Sequence, residues 1–512
     1  MKNILKDFKK ILPLKRIIYD ERKIAYNYDA SSLYGENMLT VFPISKKEVS
    51  KILKYSNKYE IPLYIRGAGT GKSGGSIPLG GIVLCTLLMN KIKEVNFKER
   101  RIKVEAGVIT KEIKDLLEKN NFFYPPDPQS YEISSIGGNV ATNAGGPNSL
   151  KYGTTKDYVL SIEFVTIEGE ILNAGKETQK FVMGYNLKDL LSSSEGTIGV
   201  ITEIDLKFLP IKGKEVFYII EEIPSFIEKI FESNLNPSKV ELLNDKILIA
   251  IDENFEKSEK ILKSISKNIK KLNEKEREEF ERIRKEKSVS IWKEKGGKIS
   301  IDICIPISKI EEFIDFSKNF GESIYIYGHL GSGNLHTNIL YNPLNLKERE
   351  KIWEIREKII DFVIRNNGTC SGEHGTGILY SKYLEKEIGK RMYEIEHNIK
   401  RIFDPKDILN RGKIFDKGKN FEKLKKIYFE EKREFAKLCN LCGLCNKICP
   451  FFQKYKREDI SPRGFVYFYM MKNKGYLIDN KKYFKFCLKC KKCFNICPNN
   501  VQIEKIILDY LS

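Results

Sequence analysis

Arg66-Gly-Ala-Gly-Thr-Gly-Lys-Ser-Gly-Gly75 follows the apolar run Ile61–Ile65 and leads into Ser76-Ile-Pro-Leu-Gly-Gly81. It nearly matches two nucleotide motifs. A phosphate-binding P-loop needs four residues between its first glycine and Gly-Lys-Ser/Thr, whereas Gly67 and Gly71 enclose three. Gly69-x-Gly71-x-x-Gly74 has the dinucleotide spacing, and Ile61–Ile65 reads as the strand before it. That fingerprint requires a helix next, because the pyrophosphate sits on its N-terminus. Residues 76–81 cannot form one. The loop therefore belongs to another kind of anion site.

Glycine-rich loops recur at Gly137–Gly146 and Glu195–Gly199. β-branched runs lie between them at Ile82–Thr86, Ile102–Glu105 and Leu160–Thr166, with amphipathic helices expected at Lys46–Lys58 and Thr110–Asn120. The pattern implies an α+β domain whose backbone-rich loops converge on something extended and anionic. Exposed N–H groups can hold a pyrophosphate without a helix end.

Eight of the 11 cysteines follow residue 438 in two equal blocks: Cys439, Cys442, Cys445, Cys449-Pro450 and Cys487, Cys490, Cys493, Cys497-Pro498. Each cysteine of the second block is its counterpart displaced by 48 residues. C-x2-C-x2-C-x3-C-P is the bacterial run for [4Fe–4S] clusters, and in two-cluster ferredoxins its fourth cysteine serves the other cluster. The expected ligand sets are Cys439, Cys442, Cys445 with Cys497, and Cys487, Cys490, Cys493 with Cys449. Structural zinc prefers two C-x2-C pairs across a longer loop. Cys85, Cys304 and Cys370 read as buried small hydrophobes.

The 512 residues suffice for two to four domains, and 41% hydrophobic positions exclude a disordered chain. The longest uncharged runs, Ser73–Asn90 and Ile133–Leu150, are interrupted by glycine and polar residues, so no membrane span is expected. Charges throughout residues 1–16 argue against a signal peptide and for an amphipathic helix, with a membrane-surface anchor as an alternative. The net charge of +20 is uneven: residues 416–512 carry 22 Lys/Arg against 10 Asp/Glu. Negatively charged clusters explain that excess without nucleic acid. Thiolate ligands also imply a reducing compartment, hence the cytoplasm, with peripheral attachment at the inner membrane face as an alternative.

Three of the four histidines lie in two glycine-flanked motifs, His329-Leu-Gly-Ser-Gly-Asn-Leu-His336 and Ser371-Gly-Glu-His-Gly375. Glycine lets a ligand approach the backbone. His397, in a Lys/Glu-rich helix, reads as an exposed surface residue.

These motifs carry a family resemblance. Arg66-Gly-Ala-Gly-Thr-Gly71, Pro126-Asp-Pro128, Ser134-Ser-Ile-Gly-Gly-Asn-Val-Ala-Thr-Asn-Ala-Gly-Gly146, Lys151-Tyr-Gly153, Ser194-Glu-Gly-Thr-Ile-Gly199 and Phe403-Asp-Pro…Asn410-Arg-Gly-Lys413 resemble the vanillyl-alcohol-oxidase-type flavoproteins. Within them, the D-lactate, glycolate and D-2-hydroxyglutarate dehydrogenases are most similar. The resemblance implies a two-subdomain FAD-binding domain, an α+β substrate (cap) domain and, from the cysteines, a mostly α-helical module with two [4Fe–4S] clusters. It implies FAD contacts from Arg66, Gly67, Ala68, Gly69, Thr70, Gly71, Gly74, Pro126, Asp127, Ser134, Gly137, Gly138, Asn139, Thr142, Asn143, Gly145, Gly146, Glu195, Gly196, Gly199 and Asn410. Because every histidine lies at 329 or later, outside these loops, the FAD is expected to be non-covalent.

The resemblance further implies a divalent metal (Zn, Fe or Mn) on His329, His336 and Glu373, with His374 as general base. Arg284 is the implied partner of the substrate carboxylate. Departures from the family pattern are Ser332 for an aspartate, Arg411 for a proline and Tyr380 for a lysine. The expected reaction is oxidation of a small 2-hydroxy acid, D-lactate or glycolate, to the 2-oxo acid. Hydride goes to FAD, and electrons leave singly through the clusters to an acceptor: an electron-transfer flavoprotein, a further iron–sulfur subunit or a quinone-linked partner. Alternatives are D-2-hydroxyglutarate oxidation and a non-enzymatic electron carrier. The expected organisation is a helical lead-in over 1–35, an FAD domain over 36–212 and a substrate domain over 213–415 with a charged helix at 253–297. A helical linker over 416–437 and a cluster module over 438–512 complete it.

Overall fold

The computed structural model describes residues 2–211, 213–221, 226–243, 245–321, 323–424, 439–473 and 484–511. Most of the expected linker, from 425 to 437, lies outside the described residues.

Three sheets build the main body. The first runs in the order Ile17–Ile18, Leu39–Val41, Ile82–Cys85, Leu63–Arg66, with its last three strands parallel. Every side chain of Ile82–Cys85 is buried, as a strand covered on both faces requires. The helix Lys46–Tyr59 feeds this sheet; Ser45 caps its start by accepting from the Glu48 amide, and Glu60 closes it in a left-handed turn. The second sheet is antiparallel, in the order Ile92–Asn96, Arg101–Glu105, Val200–Lys207, Val159–Val165, Ile171–Gly175.

The third sheet has seven antiparallel strands and forms the cap: Ile269–Lys271, Val216–Ile220, Lys246–Ile251, Lys239–Leu243, Ile324–His329, Asn334–Tyr341, Gly297–Cys304. The expected single charged helix at 253–297 is instead two helices, Phe255–Ile265 and Glu274–Ser290, separated by the edge strand Ile269–Lys271. The β-branched Ile269 pairs with Ile220 and interrupts the helical charge pattern.

Two boundaries differ from the sequence reading. Residues 1–35 are not a separate lead-in. The helix Lys2–Ile11 places Phe8 in the core of the first sheet beside Tyr55, and Ile17–Ile18 is a strand of that sheet. Phe8 and, in part, Ile4, Leu5 and Ile11 of this helix pack against the protein. At the other end, residues 404–415 return from the cap to the FAD domain. Leu409 bridges Leu63, and the Asn410 side chain accepts from the Ile65 amide and donates to the Glu195 carbonyl.

The C-terminal module is not a tethered appendage. Its helices Pro462–Asn473 and Ile503–Leu511 share one hydrophobic core with the first sheet, where Val466, Phe468 and Ile507 pack with Tyr28, Tyr64 and Val83. Tyr28 stacks on Tyr467 at 4.1 Å and donates to Glu458 at 2.7 Å, while Tyr26 donates to Asp459 at 2.9 Å. Among the described residues no helix is long and apolar enough to cross a membrane.

Candidate active site

A cavity of about 870 Å³ lies between the FAD-domain loops, the cap sheet and the C-terminal module. Gly67, Ala68, Gly69, Thr70 and Gly71 form one wall; Gly137, Gly138, Asn139, Thr142 and Gly145 form another. Glu195, Gly196, Gly199 and Asn410 complete that side. The loops approach so closely that a Cβ at Gly67 would sit 2.2 Å from the Ser135 hydroxyl. That hydroxyl borders the cavity and, though buried, has no hydrogen-bond partner among the described residues. An extended cleft walled by backbone amides and an unsatisfied hydroxyl suits a dinucleotide such as FAD.

Seven of the expected FAD residues lie outside this lining: Arg66, Gly74, Pro126, Asp127, Ser134, Asn143 and Gly146. They shape the loops from behind. The Arg66 guanidinium turns under Tyr26 and Tyr28 and donates to the Tyr28 carbonyl, and Asp127 accepts from the Asn148 amide at 3.0 Å. Gly74 packs against Leu33 and Ile378, a Cβ at Gly146 would meet the Asp127 carbonyl at 2.4 Å, and the Ser134 carbonyl accepts from Thr110. Asn143 caps its helix at φ +49° and accepts from the Lys156 amide.

The histidine motifs meet at the cap end of the cavity. His329 ends one strand, Gly333 turns the chain at φ +71°, and His336 lies on the next strand opposite Tyr327. On the other side of that strand His336 faces Asp302, which in turn bridges Ser371 of the Glu373–His374 loop. Asp302 accepts the backbone amides of Glu373 and His374, both at 2.8 Å, and the Asn334 side chain at 2.9 Å. A single buried carboxylate thus fixes the loop.

Carboxylates also orient all three imidazoles. His329 Nδ1 is 2.8 Å from Glu241, while His336 Nδ1 and His374 Nδ1 are each 3.3 Å from Asp302. The three Nε2 atoms then converge on the Glu373 carboxylate, at 3.6 Å for His329, 3.4 Å for His336 and 3.6 Å for His374. Ligand atoms of Asp302, His336, Glu373 and His374 all lie within 4.8 Å of one another. Asp302 is already engaged by two amides and two rings, which suits an orienting role better than ligation. His336 and Glu373 belong to that group, His329 lies outside it but faces Glu373 at 3.6 Å, and two imidazoles with one carboxylate have the chemistry of a divalent-metal site with open positions.

The electrostatics separate the rings. Burial opposes charge on His329, but Glu241 and Glu373 outweigh it and hold its pKa up at about 10. His374 goes the other way. Burial, with help from the nearby Lys72 charge, lowers it to about 4 against the pull of Asp302. At neutral pH His374 is an unprotonated acceptor.

The sequence reading missed Glu241, Asp302, Tyr327 and Lys72. Asp302 was visible as the one acid in the alternating strand Ile299–Cys304, where only a partnered charge is tolerated. Tyr327 lies 5.6 Å from the His336 ring and borders the cavity, as does Lys72. Arg284 is near but occupied: its Nη1 is 3.3 Å from Glu241, the partner of His329. The departures have structural roles. The Tyr380 hydroxyl accepts the Asp302 amide at 3.1 Å, the Ser332 hydroxyl donates to the His329 carbonyl at 3.1 Å, and Arg411 binds backbone at the surface. His397 is half-buried and stacks on Phe415 at 5.2 Å, so it is not the exposed residue expected.

Seven of the eight C-terminal cysteines divide crosswise between two cavities, and Cys445 is buried beside the first. Cys439, Cys442 and Cys497 border the FAD cavity. Cys449, Cys487, Cys490 and Cys493 line a second cavity of about 230 Å³. Burial first, then charge on neighbouring thiols including Cys497, raises Cys439 and Cys445; Cys449 and Cys490 act likewise on Cys487 and Cys493. Arg463 ties the first set to the flavin loop. Its buried guanidinium donates to the carbonyls of Ala68 at 2.9 Å, Gly69 at 3.3 Å and Leu441 at 3.5 Å, and pairs with Glu458.

Comparison with known proteins identifies three families along the chain. Residues 38–175 match the family described as FAD binding domain, 247–414 the FAD linked oxidases C-terminal domain, and 435–501 the 4Fe-4S dicluster domain. The glycolate oxidase subunit GlcD of Bacillus subtilis is 32% identical over 433 residues, covering 77% of this chain and 92% of the relative. The D-lactate dehydrogenase of Archaeoglobus fulgidus is 33% identical over 417 residues, covering 74% of this chain and 92% of its own. Among solved structures, p-cresol methylhydroxylase superposes with a TM-score of 0.66 at 15% identity, covering 81% of this chain and 96% of that one. The 4-ethylphenol oxidase of Gulosibacter chungangensis does so at 0.64 and 17%, covering 82% and 98%. At those identities they attest the fold alone.

Proposed function

The chain belongs to the FAD-linked oxidase family that includes D-lactate dehydrogenases and glycolate oxidase subunits, and on that premise we propose that it oxidises a small 2-hydroxy acid, D-lactate or glycolate, to the 2-oxo acid. The convergence of three imidazole Nε2 atoms on Glu373 at the end of the cavity carries this reading. When bound, FAD accepts the C2 hydrogen as hydride, a divalent ion polarises the substrate hydroxyl, and iron–sulfur clusters carry the electrons away singly.

His329, His336 and Glu373 hold the metal. Glu241 and Asp302 stand beside the Nδ1 atoms of these two rings, and His329, which the two glutamates hold protonated, would give up its Nε2 proton as a metal bound. His374 takes the hydroxyl proton at Nε2 while Asp302 steadies its Nδ1, the division of labour of a buried acid behind a catalytic imidazole. Lys72 borders the cavity beside His374 and offers a cation to the substrate carboxylate. Arg284 supports the same end through Glu241. Glycine loops and the Ser135 hydroxyl hold FAD, non-covalently because no histidine occurs within those loops.

Cys439, Cys442, Cys445 and Cys497 hold one [4Fe–4S] cluster, and Cys487, Cys490, Cys493 and Cys449 the other. Eight thiolate ligands favour the cytoplasm. An anaerobic panel of D-lactate, glycolate and D-2-hydroxyglutarate, with L-isomers as controls, tests the reading. One acid should bleach the flavin, and His374→Ala should retain FAD while losing the bleaching. Normal bleaching in that variant would overturn the assignment.

A further inference from the structure

The two cysteine sets differ in what they face. Cys439, Cys442 and Cys497 border the cavity that the flavin loops enclose, and Cys445 is buried behind them. The set of Cys487, Cys490, Cys493 and Cys449 borders a separate cavity whose loop reaches solvent, with Cys490 exposed. The inner set is therefore the one that adjoins the flavin loops, and the outer set the one that adjoins the surface.

Around the outer set the surface has a distinct character. Residues 485–495, Lys-Phe-Cys-Leu-Lys-Cys-Lys-Lys-Cys-Phe-Asn, contain four lysines and no acid. Lys485, Lys489, Lys491 and Lys492 are all exposed. Between them stand Leu488 at 60%, Phe486 at 41% and Phe494 at 37% exposure. Lys489 and Lys491 take left-handed backbone, φ +53° and +59°. Glu504 stands 3.6 Å from Lys491. Apolar side chains ringed by like charges beside a redox centre form a small docking face whose charge selects its partner.

We propose that this face, built by Lys485, Phe486, Leu488, Lys489, Lys491 and Lys492 around the outer cysteine set, docks a one-electron redox protein whose binding face is acidic. The proposal rests on the electron outlet assigned above and names its exit and the charge of its partner. Each acceptor takes one electron, so the pair from one hydride is discharged onto two acceptor molecules in succession. The proton left on the flavin is released to water. The basic face steers an acidic acceptor onto the outer set, raising its encounter rate in a salt-dependent way.

Cytochrome c and its succinylated form, which share a haem but have opposite surface charge, test this directly. Binding of each to the oxidised holoprotein is measured by calorimetry at low and high salt, with no substrate present. Succinylated cytochrome c should bind at least tenfold more tightly than the native form, and the preference should collapse as salt rises. K489E/K491E/K492E should reverse the preference, and K485Q/K492Q, which leaves the residues between the cysteines nearly intact, should weaken it severalfold. Cluster absorbance should be unchanged in both. With the holoprotein reduced photochemically, reduction of the two haems should follow the same order.

Photoreduction bypasses the hydroxy acid. Failure of every hydroxy acid to bleach the flavin would therefore sink the proposed reaction and leave this test standing. Equal binding of the two cytochromes, or an unchanged preference in both lysine variants, overturns the proposal. So does binding of anionic phosphatidylglycerol vesicles through the same lysines with no preference between cytochromes, because the face would then be a membrane contact.

Discussion

Arg463 donates to the backbone carbonyl of Ala68 at 2.9 Å, joining a helix of the cysteine module to the loop that forms one wall of the flavin cavity. The same guanidinium reaches Leu441, between Cys439 and Cys442, and is neutralised by Glu458 at 2.7 Å. Both partners are buried. The loop walling the cavity and the loop carrying the inner cysteines are therefore held in one fixed relation.

Removing that charge should be severe. Arg463→Gln leaves Glu458 buried without its cationic partner, a loss of about 3–5 kcal/mol by analogy with other broken buried pairs. Thermal unfolding should shift down by several degrees. Substrate should still bleach the flavin, while the clusters are reduced more slowly. Arg463→Lys keeps the charge but not the fork of donors, and should restore stability better than cluster reduction rate.

The crosswise cysteine sets make opposite expectations for two similar substitutions. Cys449→Ser should remove the outer cluster and leave the inner one reducible from the flavin. Cys497→Ser should remove the inner cluster and strand electrons on the flavin. Iron content and low-temperature paramagnetic resonance of substrate-reduced protein distinguish them. Loss of the inner cluster in Cys449→Ser would mean that each block serves its own cluster.

How much of this was legible beforehand follows from the range of the interactions. The cysteine blocks, glycine loops and histidine motifs are local patterns, and their spacing announced them. Asp302 and Glu241 orient the imidazoles across strands 34 and 88 residues away in sequence, so nothing adjacent to the histidines revealed them. The docking of the cysteine module was hidden likewise. It depends on Tyr26 and Tyr28 meeting Asp459 and Glu458, more than 400 residues apart, through side chains that read as ordinary core aromatics. Boundaries failed where the chain returns: Leu409 and Asn410 follow the cap in sequence but pack on Leu63 and Ile65.

The outer carboxylates should control metal affinity. Glu241→Gln removes the charge that holds His329 Nδ1–H, and Asp302→Asn does the same for His336. Each should weaken metal binding about 10–100-fold. Metal content after dialysis against graded chelator measures this. Retention equal to the wild type would place the metal elsewhere.

The pH dependence of stability should carry a signature of Glu195. Burial raises its carboxyl to about 7, against the Gly377 and Thr376 amides that favour the anion. In the unfolded chain the group titrates near 4.5. Between those values the folded protein binds more protons than the unfolded one. The stabilisation is complete below about 4.5 and is lost as pH rises through about 7. Glu195→Gln should therefore match the wild type at pH ~5 and melt higher at pH ~8. An equal difference at both values would contradict this.

The most direct test is an anaerobic single turnover of the holoprotein with its hydroxy acid, following flavin absorbance and cluster paramagnetic resonance together across pH. With His374 unprotonated above about 4, flavin bleaching should be flat from near pH 6 to 9, and cluster signals should grow as the flavin reoxidises. Bleaching that leaves both clusters oxidised, or a flavin that no hydroxy acid bleaches, would contradict the account.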